Sequence, residues 1–380
     1  MPESPTANDR LKAIKIVRLS PSFASQEVPG SGLNAYFHAT LSAAQNLVIT
    51  EFKNHSYLSV PSNVEIFPVQ VRSGGLGSLE ISGIRKIKNF SLKLISTLVV
   101  LFKSIEKLAE FQPDIVHLYS PIHFVTAMYC KFKFGSKVVV SFHGTDVHRL
   151  KKSFVLRYLM RMTDHMLLLS NKTVEDLNLR PNDCTFIGNG FDDSLFFLDG
   201  KIERKKIVLS VGSLRWQKDH ATLLQAFVLF KERSPEYTLV IVGEGELENE
   251  LKSLSRELKI ENAVTFIPKM FPSDVGNLMR ESSFFVLSSI SEGSPKVVLE
   301  ALSCGLPVIA TNVGDLVKVL GSRVICSTQS PKELAELMLV TKNELDNIDR
   351  DNLVKSVSPR TWAKIVRSLD NIYLTLNDSD

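Results

Sequence analysis

Short apolar runs alternate with helix-patterned stretches along most of this chain, and the alternation occurs twice. Residues 14–19, 47–52, 64–69, 115–119, 137–142 and 166–170 read as buried strands. Residues 33–41 and 84–111 have helical patterning between them. Strands separated by helices cannot pair through tight hairpins, so they form parallel sheets with both faces covered. Residues 187–192 (IGNGFD) are turn-rich and close the first run, and residues 195–204 read as a linker. The alternation then restarts, with strands expected at 207–211, 239–242, 264–267, 284–287 and 307–311. The expectation is an α/β protein of two domains, residues 1–195 and 206–358. A final amphipathic helix, 359–380, has Trp362, Ile365, Val366, Leu369 and Ile372 near helical spacing. A length of 380 residues accommodates two domains of ordinary size.

The second run ends in residues 291–314, SEGSPKVVLEALSCGLPVIATNVG. Ser294 is the expected helix cap, with Pro295 at the first helical position, where its missing N–H costs nothing. Gly305 is expected to end the helix in a left-handed turn, and Pro307 prevents continuation. Glu292 lies in the loop before this helix and Glu300 lies inside it. A free helix N-terminus offers unpaired N–H groups and partial positive charge, which suits a phosphate. Carboxylates on either side fit two sugar rings flanking that phosphate. Equally, Glu300 at four residues from Lys296 fits a simple helix-surface ion pair.

Other stretches carry weaker signals. Gly30, Ser31 and Gly32 lie between a strand and a helix, a layout that serves a phosphate or a plain turn. Arg85, Lys86, Lys88 and Lys93 open the 84–111 helix, interleaved with Phe90, Leu92, Leu94 and Ile95. That pattern fits an ordinary amphipathic surface helix or a membrane-surface patch. His143-Gly144-Thr145-Asp146 directly follows a strand, where side chains of parallel sheets face the ligand crevice.

Charge is uneven. Residues 1–200 hold 22 Lys+Arg against 17 Asp+Glu, whereas residues 201–380 hold 23 against 24. A basic bias of this size suits an anionic surface such as lipid headgroups and is too small for nucleic acid. Cys130, Cys184, Cys304 and Cys326 show no metal-ligand spacing, which fits reduced thiols in the cytosol. The only internal Asp-x-Asp is Asp349-Arg350-Asp351, in a charged stretch, so no metal is expected. The polar first ten residues are expected as a disordered tail, unlike a signal peptide.

The 291–314 stretch resembles the Glu-x7-Glu signature of the retaining glycosyltransferases of family 4. The matching residues are Ser291, Glu292, Gly293, Pro295, Glu300, Ala301, Gly305, Pro307, Ala310, Thr311, Val313 and Gly314. The resemblance continues through the Gly32 loop, PDIVHLYSP (113–121), the His143-Gly144 pair and IGNGFD. It extends to VGSL…QK (211–218), IVGEG (241–245) and VTFI (264–267). It implies the type-B fold, two Rossmann-like domains facing across a cleft, with the last helix crossing back to the first domain. It implies a nucleotide-sugar donor, such as a UDP- or GDP-sugar, and a glycan or lipid-linked acceptor. The setting implied is cell-envelope polysaccharide or glycoconjugate synthesis in the cytoplasm; docking to the cytoplasmic face of an anionic membrane is expected from the charge pattern alone.

Roles carry over by position. Glu300 resembles the ribose-binding glutamate, and Glu292 the one facing the transferred sugar. The amides of Gly293, Ser294, Pro295, Lys296, Val297 and Val298 mark the segment that holds sugar hydroxyls and diphosphate, Pro295 contributing none. Lys218 matches the cation at the leaving group, Gly32 the glycine approaching the same phosphate, and His143 a histidine near sugar and acceptor. One position departs: the family's arginine after the glycine of VG-R-L is Ser213 here, and Arg215 is the next cation. That departure leaves open a non-catalytic nucleotide-sugar-binding homologue, and the fold itself leaves open a sugar-nucleotide epimerase that needs no acceptor.

Overall fold

The computed structural model describes residues 6–24, 32–51, 57–70, 84–120, 123–142, 158, 160–168, 184–292, 294–314, 316–321 and 325–378, without the side chains of 84–96. The chain divides into two compact units. One is Met1–Ile187 with Ala363–Asp380, the other Gly188–Trp362. Residues 188–195, assigned from sequence to the first domain, belong to the second. There Phe191 forms an isolated parallel bridge with Thr361.

The first unit is a seven-stranded parallel sheet. Its strands are β1 (Lys15–Ser20), β2 (Gln45–Glu51), β3 (Val64–Val69), β4 (Ile115–Leu118), β5 (Lys137–Phe142), β6 (His165–Leu168) and β7 (Cys184–Phe186), in the order β3-β2-β1-β4-β5-β6-β7. The second unit has β8 (Ile207–Val211), β9 (Thr238–Val242), β10 (Val264–Ile267), β11 (Phe284–Leu287), β12 (Val308–Thr311) and β13 (Ile325–Cys326). Their order is β10-β9-β8-β11-β12-β13, again parallel.

Burial on both faces explains why these strands read as unbroken apolar runs. Successive side chains point to opposite faces. In β8, Val208 joins one core and Leu209 the other. In β11, Phe284 and Val286 face one core, and Phe285 and Leu287 face the other. Helix ends follow local chemistry. Asp219 caps the His220–Arg233 helix by accepting from the Thr222 amide, and Asp349 caps Arg350–Val357 by accepting from Asn352. Asp349 is thereby committed to a cap. The N-terminal segment departs from the expected tail: Ala7–Ala13 is a helix whose cap, Thr6, accepts from the Asp9 amide.

The last helix, Trp362–Asn377, belongs from Ala363 onward to the first unit and buries Val366, Leu369 and Tyr373. Tyr373 completes a polar network around Arg18, a fully buried arginine in β1. Arg18 donates through Nε to Asn46 Oδ1 at 2.7 Å, and through Nη1 to Tyr373 at 2.9 Å and Tyr119 at 3.1 Å. The Tyr373 hydroxyl also lies 2.6 Å from His117 Nδ1. One turn earlier Asp370 accepts from Ser42 at 2.7 Å, and burial pushes its carboxyl up to about 6. A buried charge without such partners is costly, so this network orients the helix as well as stabilising it. Tyr373→Phe is expected to cost about 1–3 kcal/mol, because it strips a partner from a buried cation. The check is urea denaturation, in which the transition of the first unit should move to lower urea.

Candidate active site

Strand order in the second unit reverses between β8 and β11, which are hydrogen-bonded neighbours from distant parts of the sequence. The loops leaving their carboxyl ends therefore diverge and frame a crevice, the usual ligand position in such sheets. The loop after β8 carries Gly212 to Lys218, and the loop after β11 carries Ser288 to Pro295.

Lys218 ends a short turn, Trp216–Lys218, and Asp219 follows in a left-handed conformation at φ 46°. The Lys218 ammonium pairs with Glu292 Oε1, and both side chains are largely buried, with 22% and 14% exposure. Ser289 Oγ donates to the same oxygen at 2.9 Å. Backbone contacts join the two loops. The Ile290 amide donates to the Gln217 carbonyl at 2.8 Å, and Ser288 Oγ to the Lys218 carbonyl at 2.9 Å. Thr311 Oγ1 donates to the Ser289 carbonyl from β12. Seventy-odd residues of intervening chain thus end in a fixed cation–carboxylate geometry.

The glycines of IVGEG support this loop from beneath. A Cβ on Gly243 would lie 2.0 Å from the Gly212 oxygen, and one on Gly245 would lie 2.3 Å from the Leu214 oxygen. Their absence lets the Gly212 amide reach Val242 and the Leu214 amide reach Glu244, both at 2.9 Å. Arg215 is exposed in extended backbone, and makes no side-chain hydrogen bond or ion pair among the described residues.

The helix between the two glutamates is Lys296–Ser303. Its cap position is Pro295, with no side-chain cap bond, so the expected Ser294 cap is not made. The Ser294 carbonyl instead accepts from Asn189 Nδ2 at 2.6 Å. Arg204 and Arg350 donate at 2.7 Å to the Cys304 and Gly305 carbonyls beyond the other end, and Gly305 is left-handed as expected (φ 63°). Glu300 is half-buried. Burial pushes its carboxyl up to about 7, Lys296 pulls it down, and Asp192 adds a push upward. Lys296 feels Glu300 electrostatically, yet no ion pair joins them. Its Nζ lies 5.6 Å from the Trp362 ring centroid.

Asn189, within IGNGFD, and Trp362, on the apolar face of the last helix, are not expected from the sequence to touch the helix start. The 187–192 turn was read as a boundary, whereas Gly190 packs so closely on Trp362 that a Cβ would sit 2.5 Å from the ring. Beside this contact the Phe191 amide donates to the Arg360 carbonyl at 3.1 Å, and the Trp362 amide donates to the Phe191 carbonyl at 3.0 Å. The Asn-Gly pair was the available signal. In the first unit, Gly32 is left-handed at φ 72° and precedes the Leu33–Thr40 helix, its Cβ position blocked at 2.6 Å by Phe23 Cα. His143 and Gly293 lie outside the described residues.

Residues 192–356 match the family model "glycosyl transferases group 1", and residues 71–195 match "glycosyltransferase family 4". The chain belongs to this glycosyltransferase family. An uncharacterized glycosyltransferase of Haemophilus influenzae is 42% identical over 120 residues, 32% of this chain and 33% of that protein. The N-acetylgalactosamine-N,N'-diacetylbacillosaminyl-diphospho-undecaprenol 4-alpha-N-acetylgalactosaminyltransferase of Campylobacter jejuni is 30% identical over 180 residues, 46% of this chain and 48% of that one. The matches thus span a third to a half of these relatives. Sucrose-phosphate synthase from Thermosynechococcus elongatus superposes with a TM-score of 0.79 at 16% identity, covering 97% of this chain and 100% of that chain. The fold is that of the type-B glycosyltransferases.

The elevated Glu300 carboxyl has a consequence for stability. Its folded value, about 7, exceeds the ordinary 4.5. Ionising it therefore costs stability that is intact below pH 4.5 and is lost as pH rises through 7. Without ligand, Glu300→Gln is expected to melt above the native protein at pH 8, with the gap closing towards pH 4.5. Thermal scans across that range check this; a gap that widens toward acid contradicts the assignment.

Proposed function

We propose that this protein moves a sugar from a nucleotide-sugar donor to a glycan or lipid-linked acceptor, with retention at the anomeric carbon and without a metal ion. The observation that carries this reading is the Lys218–Glu292 pair at the strand-order reversal, beside the start of the Lys296–Ser303 helix. The Campylobacter relative is named for a diphospho-undecaprenol acceptor, which supports a lipid-linked acceptor here.

In this reading the donor diphosphate lies at the helix start, where amides without intrahelical acceptors and the helix dipole favour an anion. Glu300 accepts from the ribose hydroxyls. Glu292 faces the transferred sugar and holds the Lys218 ammonium in place. Cleavage of the sugar–phosphate bond builds negative charge on the diphosphate, and Lys218 neutralises it as it grows. The departing phosphate helps take the acceptor proton, leaving positioning and charge stabilisation to the protein.

Radiolabelled UDP-, GDP- and ADP-sugars incubated with a membrane extract test the reading. Label should enter lipid or glycan. An altered free sugar nucleotide indicates epimerisation, and binding without either product indicates the non-catalytic homologue that Ser213 in place of arginine favours. Lys218→Ala should lose about two or more orders of magnitude in kcat with a smaller loss of donor binding. Turnover should survive EDTA; loss that manganese or magnesium restores contradicts the metal-free step.

Docking of the first unit to an anionic membrane belongs to the same reading. Arg85, Lys86, Lys88 and Lys93 have side chains outside the described residues. Further along, Phe102 and Phe132 are 69% and 74% exposed on the packed helices Ile84–Phe111 and Phe124–Phe134, beside exposed Lys103 and Lys133. No helix among the described residues is long and apolar enough to cross a membrane. Exposed aromatics and lysines suit surface binding. Sedimentation with anionic vesicles should pull the protein down in a salt-sensitive way; equal pelleting with neutral vesicles argues against docking.

A further inference from the structure

Lys296 is placed where a cation is least expected. It is the first residue of the Lys296–Ser303 helix, so its charge opposes the positive end of the helix dipole. Burial also presses against that charge and lowers its pKa, with only the Coulombic pull of Glu300 in opposition. Among the described residues Lys296 makes no ion pair. Glu300 is itself pushed up to about 7, so at neutral pH its charge is only partly present to compensate.

The ammonium is nevertheless held in place. It lies 5.6 Å from the centroid of the Trp362 ring, close enough for a cation–π contact. That ring packs against Gly190, and the adjacent Asn189 grips the Ser294 carbonyl two residues before Lys296. Ring, ammonium and first helical turn therefore form one cluster. A long side chain in a helix also leans toward the N-terminus, over the first amides.

We propose that the Lys296 side chain is a second cation for the donor diphosphate, supplying the positive charge that is missing at Ser213. This rests on the reading of the helix start as the diphosphate site. An anion there turns each unfavourable feature into a favourable one: dipole and ammonium act together, and the half-buried cation gains a partner. Arg215 is exposed and two residues removed from the position where the family carries its arginine, so Lys296 is the more enclosed of the two candidates. Trp362 and Asn189 then act as positioning residues for the cation and for the loop that precedes it.

Titration calorimetry with UDP, GDP and ADP, and competition with the corresponding nucleosides, tests this. The native protein should select one diphosphate. Lys296→Met, which keeps the aliphatic stem, should weaken that diphosphate about tenfold or more and leave its nucleoside unchanged. Lys296→Arg should restore most of the affinity. The unliganded Met variant should melt no lower than the native protein, since a poorly compensated charge has been removed. Unchanged diphosphate affinity in Lys296→Met overturns the proposal, as does an equal loss for the nucleoside or a lowered melting temperature. If the native protein binds none of the three diphosphates, the diphosphate site itself is wrong and the inference falls with it.

Discussion

The hydrogen-bonded pairing of β8 with β11 is the constraint on which the site depends. A parallel sheet that grows outward in both directions from a central pair leaves one place where neighbouring strands send their next segments to opposite faces. In the second unit that place lies between Val211 and Leu287, the carboxyl ends of the two strands. The loops that follow are short and tied to each other through Gln217–Ile290 and Lys218–Ser288. Lys218 and Glu292 meet because the backbone leaves them little else to do. Gly243 and Gly245 belong to the same argument, since any side chain on either would lift the Gly212–Leu214 backbone off its support.

The electrostatics of this unit are divided between structure and function. Arg204 and Arg350 serve carbonyls beyond the Lys296–Ser303 helix, where cations stabilise. At the other end a lysine and a partly protonated glutamate share one face of the helix without closing an ion pair. Burial is penalised for both. A sequence selected only for stability would place an acidic or neutral residue at Lys296 and an apolar one at Glu300. Perturbed titration of two neighbouring groups is a pattern shared by functional sites, and the proposed donor-binding role accounts for it here.

Much of the fold was legible because buried parallel strands leave an unbroken apolar trace. Ile207–Val211, Val264–Ile267 and Phe284–Leu287 fall where the sequence placed them. The edge strands Cys184–Phe186 and Ile325–Cys326 were not seen. Runs of two or three residues carry no period, and these two strands contain only one buried residue, Cys326. Arg18 was silent for a different reason: a charged residue within a strand reads as exposed until its partners, Asn46, Tyr119 and Tyr373, are brought in from far along the chain. The Ser294 cap failed because the helix begins one residue later than expected, at Lys296, which puts Pro295 at the cap position; the long-range bond from Asn189 to the Ser294 carbonyl is not contained in local propensity. Glu292, Glu300 and Lys218 stood out in the sequence, whereas Asn189 and Trp362 act only through contacts that folding creates.

Those contacts give the Asn189-Gly190 segment a meaning beyond that of a boundary. The chain enters the second unit at Gly188 and leaves it at Trp362. Its two ends meet through the Phe191–Thr361 bridge and the Gly190–Trp362 contact. One end supplies Asn189 to the loop before the site helix, and the other supplies the Trp362 ring to its first side chain. A change in either connection is therefore felt at Ser294 and Lys296 directly, through one hydrogen bond and one ring face. Coupling of this kind needs no long relay, because the entry and exit of the unit are themselves part of the wall around the helix start. Gly190 is the residue that permits it: any larger side chain would separate the ring from the loop and leave the Lys296 charge without its support.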